Sequence, residues 1–156
     1  MIVVVMGVAG AGKTTVGEAL AAALGWPFVE ADELHPAANV DKMRRGEPLD
    51  DDDRAPWLEA VAARMRALPD AVVACSALRE RYRAVLRVRP DVRFVFLDVP
   101  RALLEARLAT RRGHFMPPSL LPSQLETIER PADAIVVDGA QPVDAQVAAI
   151  RAALRI

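Results

Sequence analysis

Apolar residues along this chain come in short runs, separated by longer polar stretches with a helical period. Ile2 to Met6 is an unbroken, largely β-branched run that ends at Gly7, the pattern of a central parallel strand covered on both faces. Pro27 to Glu30, Ala71 to Cys75, Val92 to Asp98 and Ala134 to Asp138 repeat it. Between these runs the spacing predicts helices over Lys13 to Leu24, stopped by Gly25, and from Asp50–Asp53 to about Leu68, where the carboxylates serve as cap and first turn. Further helices are predicted over Arg79 to Val88, Arg101 to Arg111, Ser123 to Glu129 and Val143 to Leu154. Ala37 to Gly46 reads as a loop with one helical stretch, and Arg112 to Pro122 breaks the pattern. Strands alternating with helices predict one α/β domain over residues 1–156, a five-stranded parallel sheet with helices on both faces. Ligands then gather at the carboxyl ends of the strands.

Composition narrows the partners. The 156 residues suffice for a core without staples. Twenty Lys and Arg against 21 Asp and Glu leave a net charge of −1, so no global field draws nucleic acid or an anionic membrane, and any anion site must be local. Cys75 is the only cysteine, which excludes an internal disulfide, suits a cytoplasmic setting and reads as a small buried apolar residue. The opening apolar run is too short to span a bilayer and has no basic leader, and no 18-residue apolar run follows.

The chemistry begins at Gly7-Val8-Ala9-Gly10-Ala11-Gly12-Lys13-Thr14, which fits G-x-x-x-x-G-K-[ST] directly after a strand and at the start of a helix. Such a loop aims backbone N–H groups at phosphates, with the helix N-terminus adding partial positive charge. Lys13 is expected to bridge the β- and γ-phosphates of ATP and Thr14 to ligate Mg²⁺. Thr15 either supports the phosphates or packs in the first turn, and Ala9 and Ala11 contribute backbone only.

Acceptor-side candidates lie at the other strand ends. Asp32, two residues past the second strand, is placed to take the acceptor hydroxyl's proton or to orient Mg²⁺. His35 continues that loop, and Lys42 is singled out from the basic stretch with Arg44 and Arg45. Asp50 to Asp53 read as helix capping, whereas Arg54 beside them suits bidentate capture of a carboxylate. Ser76 ends the third strand, and Arg79 and Arg83 sit four apart on the following helix, either clamping an acidic acceptor or forming a surface ion-pair face. Arg107, Arg111, Arg112 and His114 form a basic cluster before Phe115-Met116-Pro117-Pro118, the composition of a lid over about residues 112–122. Arg107 and Arg111 there are expected to reach ATP, with Arg111 acting on the transferring group.

Taken together, the chain resembles the gluconate kinase, or thermoresistant gluconokinase, family. The resemblance runs nearly end to end and rests on His35-Pro36-Ala37-Ala38-Asn39-Val40-Asp41-Lys42-Met43, the stretch Gly46 to Leu58, Cys75-Ser76-Ala77-Leu78-Arg79-Glu80-Arg81-Tyr82-Arg83 and Gly113-His114-Phe115-Met116. It implies a three-layer P-loop kinase fold like that of shikimate kinase, and transfer from ATP with Mg²⁺ to the 6-hydroxyl of D-gluconate. A cytoplasmic setting and a homodimer are also implied. By position, Asp32 takes the base or metal role, His35, Arg54, Arg79 and Arg83 the acceptor contacts, and Arg107 and Arg111 the lid. One departure stands out: many members carry Asp-Gly-Asp where this chain has Glu30-Ala31-Asp32. A related small-metabolite kinase, acting on shikimate, a nucleoside monophosphate or another sugar acid, and an ATP-sensing binding module are the competing readings.

Overall fold

The computed structural model describes residues 1–111 and 118–156. Five strands, β1 (Ile2–Met6), β2 (Phe28–Glu30), β3 (Ala71–Ala74), β4 (Val92–Asp98) and β5 (Ile135–Asp138), form one parallel sheet in the order β2-β3-β1-β4-β5. The helices are α1 (Lys13–Leu24), α2 (Ala37–Arg44), α3 (Asp51–Arg66), α4 (Glu80–Leu86), α5 (Arg101–Thr110), α6 (Leu121–Thr127) and α7 (Val143–Leu154), with 3-10 turns at Ala31–Leu34 and Pro118–Leu120.

The central strand explains the layers. All five residues of β1 are buried, because alternate side chains enter opposite cores. Ile2, Val4 and Met6 pack with Trp57, Leu58, Val61 and Met65 of α3 and with Tyr82 and Leu86 of α4. Val3 and Val5 pack with Val16 and Leu20 of α1, Leu104 and Leu108 of α5, and Val147 and Ile150 of α7. An unbroken apolar strand is therefore what a helix layer on each face requires.

Several boundaries differ from the sequence expectation, each for a local reason. The segment after Pro36 is a full helix, α2, because Asn39 and Met43 turn inward and anchor it. Arg79 stands at the N-cap of α4 instead of inside it, with extended backbone at φ −115° and ψ 151°. Residues 118–122, expected within a lid, form the 3-10 turn and the first residues of α6, held by buried Leu120 and Leu121. Pro122 is accommodated there because the first helical turn lacks intrahelical N–H partners anyway. The rest of the expected lid, with Arg112 and His114, lies outside the described residues.

The carboxylates before α3 behave as a cap. Asp50 Oδ1 accepts from the Asp53 amide at 2.7 Å and Asp53 Oδ2 accepts from the Asp50 amide at 2.9 Å, a reciprocal capping box. Among the described residues no helix is long and apolar enough to cross a membrane.

Candidate active site

The turn from β1 into α1 is built around positions a side chain cannot occupy. Gly7 has φ +154°, and a Cβ there would stand 3.0 Å from the Ala11 Cβ. Gly10 has φ +83°, and a Cβ would press on Leu108 at 3.2 Å. The loop thereby folds tightly against α5 and opens a cleft of about 440 Å³, walled by Ala9, Gly10, Ala11, Gly12, Lys13, Thr14 and Thr15 on one side. Gly7 shapes the turn from beneath and is not part of that wall.

The Lys13 and Thr14 side chains each have a defined partner. Lys13 Nζ donates to the Val8 carbonyl at 3.0 Å, curling back over the loop. Thr14 Oγ1 donates to Glu30 Oε2 at 2.5 Å, which turns the hydroxyl's lone pairs away from β2. Glu30 was not among the expected site residues, although its place in the Glu30-Ala31-Asp32 stretch was the signal. Desolvation raises the Glu30 carboxyl above the usual range, opposed by the bond from Thr14. Desolvation likewise raises Asp32, opposed by the charges of Lys13 and Arg111. Lys13 is lowered by desolvation, opposed by Asp32 and Glu30.

The loop amides do not all point into the cleft. The Ala9 amide donates to Oε1 of buried Gln124 on α6 at 2.7 Å. Gln124 escaped the sequence reading because nothing near it in sequence announces a partner 115 residues away. Arg107 lines the cleft on which it was expected to act. It is bonded to the carbonyls of Gly10 at 3.1 Å, Ala11 at 3.4 Å and Gly139 at 2.8 Å, which braces the cleft from α5. Arg111 lines the same cleft and is exposed. The far end is formed by Gln141, Pro142, Val143 and Gln146. Gln146 donates through Nε2 to the carbonyls of Gln141 at 2.8 Å and Gly139 at 3.4 Å, which fixes its amide and leaves its buried Oε1 without a partner among the described residues.

A smaller pocket of about 40 Å³ adjoins the cleft and shares three side chains with it, Asp32, Ser76 and Gln124. His35, Arg54, Trp57, Ser123 and Thr127 complete its polar and aromatic lining. His35 stacks on Trp57 with ring centroids 4.2 Å apart, and Trp57 is fixed by its indole N–H donating to the Ala31 carbonyl at 2.8 Å. Desolvation, with the Arg54 charge, pushes the His35 pKa down to about 4. Arg54 is held by a relay: its Nη1 donates to the Tyr82 hydroxyl at 3.1 Å, and that hydroxyl donates to Asp51 Oδ1 at 2.5 Å. Asp51, expected only to favour the helix start, thus anchors the relay and also pairs with Arg81 at 2.5 Å.

Three expected acceptor residues are placed elsewhere. Lys42 pairs with Asp53 at 2.7 Å and lines neither cavity. Arg83, expected to clamp an acidic acceptor, is 1% exposed and donates to the carbonyls of Ala77 at 2.8 Å and Glu129 at 3.0 Å. It supports the turn after β3, where Ala77 takes φ 46° and Ser76 is presented to both cavities. Arg79 lines neither cavity. It stands at the N-cap of α4 with extended backbone. His114 lies outside the described residues.

Hard oxygen donors beside the loop fit a divalent cation. Thr14, Glu30 and Asp32 supply them, and among the described residues no group of three or more His, Cys, Asp or Glu forms a closed metal site. Mg²⁺ suits that arrangement because one or two protein oxygens plus substrate phosphates usually hold it.

Residues 2–131 match the family described as AAA domain. Over 135 residues the chain is 53% identical to the gluconokinase of Gluconobacter oxydans (strain 621H), covering 83% of this chain and 76% of that one. It is 41% identical over 156 residues to the thermoresistant gluconokinase of Escherichia coli (strain K12), covering 94% and 89%. The solved structure of a gluconokinase from Sinorhizobium meliloti 1021 superposes with a TM-score of 0.89 at 49% identity, over 98% of this chain and 90% of that chain. Shikimate kinase from Aquifex aeolicus VF5 superposes at 0.65 and 21% identity over 99% and 96%, a likeness of fold.

Proposed function

The chain belongs to the gluconokinase family, and from that premise we propose that it transfers the γ-phosphoryl group of ATP to the 6-hydroxyl of D-gluconate, giving 6-phosphogluconate and ADP. The observation that carries this reading is the charge pattern of the smaller pocket. Among the described residues lining it, Arg54 is the sole cation and Asp32 the sole anion, and the other polar groups are neutral. A polyhydroxy acid with one carboxylate matches that pattern: the guanidinium takes the carboxylate and the neutral groups take hydroxyls. A nucleoside monophosphate, whose phosphate carries more charge, matches it less well.

The roles follow from position. The loop amides and Lys13 hold the β- and γ-phosphates, and Arg111 faces the same cleft to stabilise charge on the transferring oxygens. Asp32, shared by both cavities, accepts the proton from the acceptor hydroxyl as that oxygen attacks phosphorus. Thr14 and Asp32 are the side chains to hold Mg²⁺, which when bound neutralises charge on the terminal phosphates. The test is ADP release against a panel of sugar acids, shikimate and nucleoside monophosphates. Equal ADP release with and without gluconate overturns the proposal.

Two further outcomes check the acceptor side. Tyr82→Phe removes the hydroxyl that both holds Arg54 and is anchored by Asp51. The expected result in initial-rate measurements is a rise of about tenfold in KM for gluconate, the usual scale for a hydrogen bond to a charged group, with KM for ATP unchanged. An unchanged gluconate KM would show that Arg54 needs no such support.

His35 should stay neutral through the working range. Because its folded pKa is depressed from about 6.5, the unfolded chain binds the proton first as pH falls, so this site's stabilising contribution is present above about 6.5 and is lost as pH drops towards 4. An NMR titration of the His35 ring is expected to show a midpoint near 4. A midpoint near 6.5 would mean that the ring is solvated and free of the Trp57 stack.

A further inference from the structure

Helix α6 has two distinct faces. Leu121, Leu125 and Ile128 pack into the core beneath the cleft. Leu120, Ser123, Gln124 and Thr127, spaced three, one and three apart, form a second stripe, and all four line the smaller pocket. On an ordinary amphipathic helix the polar stripe faces water. Here it faces a cavity, with Gln124 buried and Ser123 and Thr127 partly so.

The hydrogen-bond state of these groups sets what they accept. A hydroxyl has one proton to give. Ser123 Oγ donates its proton to the Leu120 carbonyl at 2.9 Å, and Thr127 Oγ1 donates its own to the Ser123 carbonyl at 2.7 Å. Both oxygens therefore have only lone pairs to offer, and this side of the pocket calls for hydroxyl donors. The donor for a carboxylate, Arg54, belongs to α3. Gln124 ties the same stripe to the phosphate loop through the Ala9 amide, which sets its height relative to the reaction centre.

We propose that the Ser123–Thr127 stripe of α6 reads the hydroxyls of the acceptor's polyol chain, ordering it with its carboxylate towards Arg54 and its chain hydroxyls along α6. This rests on the sugar-acid reading above and adds the residues that select for a hydroxylated chain. Ser123 and Thr127 are the binding contacts, and Gln124 is a positioning residue.

The test uses the full chain, ATP, D-gluconate and its monodeoxy analogues, with Ser123→Ala and Thr127→Val compared with the unaltered protein. Each variant is expected to raise KM for gluconate about tenfold while leaving KM for ATP within about twofold. The decisive readout is discrimination. The unaltered protein should prefer gluconate over the analogue lacking the hydroxyl read by each residue, and the corresponding variant should lose most of that preference. Variants that keep their thermal midpoint and the full preference against every analogue overturn the proposal and leave these hydroxyls as helix back-bonding groups. Failure of the unaltered protein to phosphorylate gluconate at all overturns the sugar-acid reading instead, and this proposal with it.

Discussion

Asp32→Asn is expected to lower kcat about 10²–10⁴-fold, the span of a positioned general base, while gluconate and ATP still bind. The amide keeps the shape and a hydrogen-bonding oxygen but cannot take a proton. The pH profile separates this role from a merely structural one. Desolvation holds the Asp32 carboxyl above the usual aspartate range, and the base works only when ionised, so kcat/KM should rise with pH through that elevated pKa. In Asp32→Asn this acidic limb should vanish and the residual rate should be flat. Near-normal turnover in the variant would remove Asp32 from the chemistry.

Lys13→Ala is expected to reduce kcat/KM for ATP by about 10²–10³-fold or more, the loss found when one preorganised donor to developing charge is removed. Lys13→Arg should rescue little, because the bulkier planar fork cannot reproduce an ammonium folded back onto the Val8 carbonyl at 3.0 Å. Since Lys13 is lowered by desolvation, the alkaline limb of the profile should fall below the ordinary lysine range and disappear in the alanine variant. The thermal midpoint should hold, because the desolvation of Lys13 outweighs the attraction of Asp32 and Glu30, so truncation relieves more than it forfeits. A variant whose lost activity tracks a collapse in midpoint would point to folding instead of phosphate binding.

The sheet was legible in the chain because each strand is a short apolar run, and β1 shows why: burial on both faces leaves no position for a polar residue. The turn from β1 into α1 was legible because its signal is local, with Gly7, Gly10, Gly12, Lys13 and Thr14 within eight residues. The pocket beside it was only half legible. Asp32, His35, Arg54 and Ser76 follow directly from strand ends and helix starts, and the structure gathers them. Lys42 and Arg83 were misplaced because a cation's partner is decided by what folds against it, here Asp53 and the carbonyls of Ala77 and Glu129. Tyr82 and Gln124 were missed for the converse reason. Each reads as ordinary helix filling until α4 meets α3, or α6 meets the phosphate loop.

Because Asp32, Ser76 and Gln124 each line both cavities, a change at any of them alters both, and on the proposed assignment donor and acceptor preferences shift together. Retargeting this scaffold to a longer or shorter acid should begin at Met43, Pro48 and Leu49, which border the smaller pocket alone. Changes there enlarge or trim the space for a new compound while sparing the machinery that handles the nucleotide.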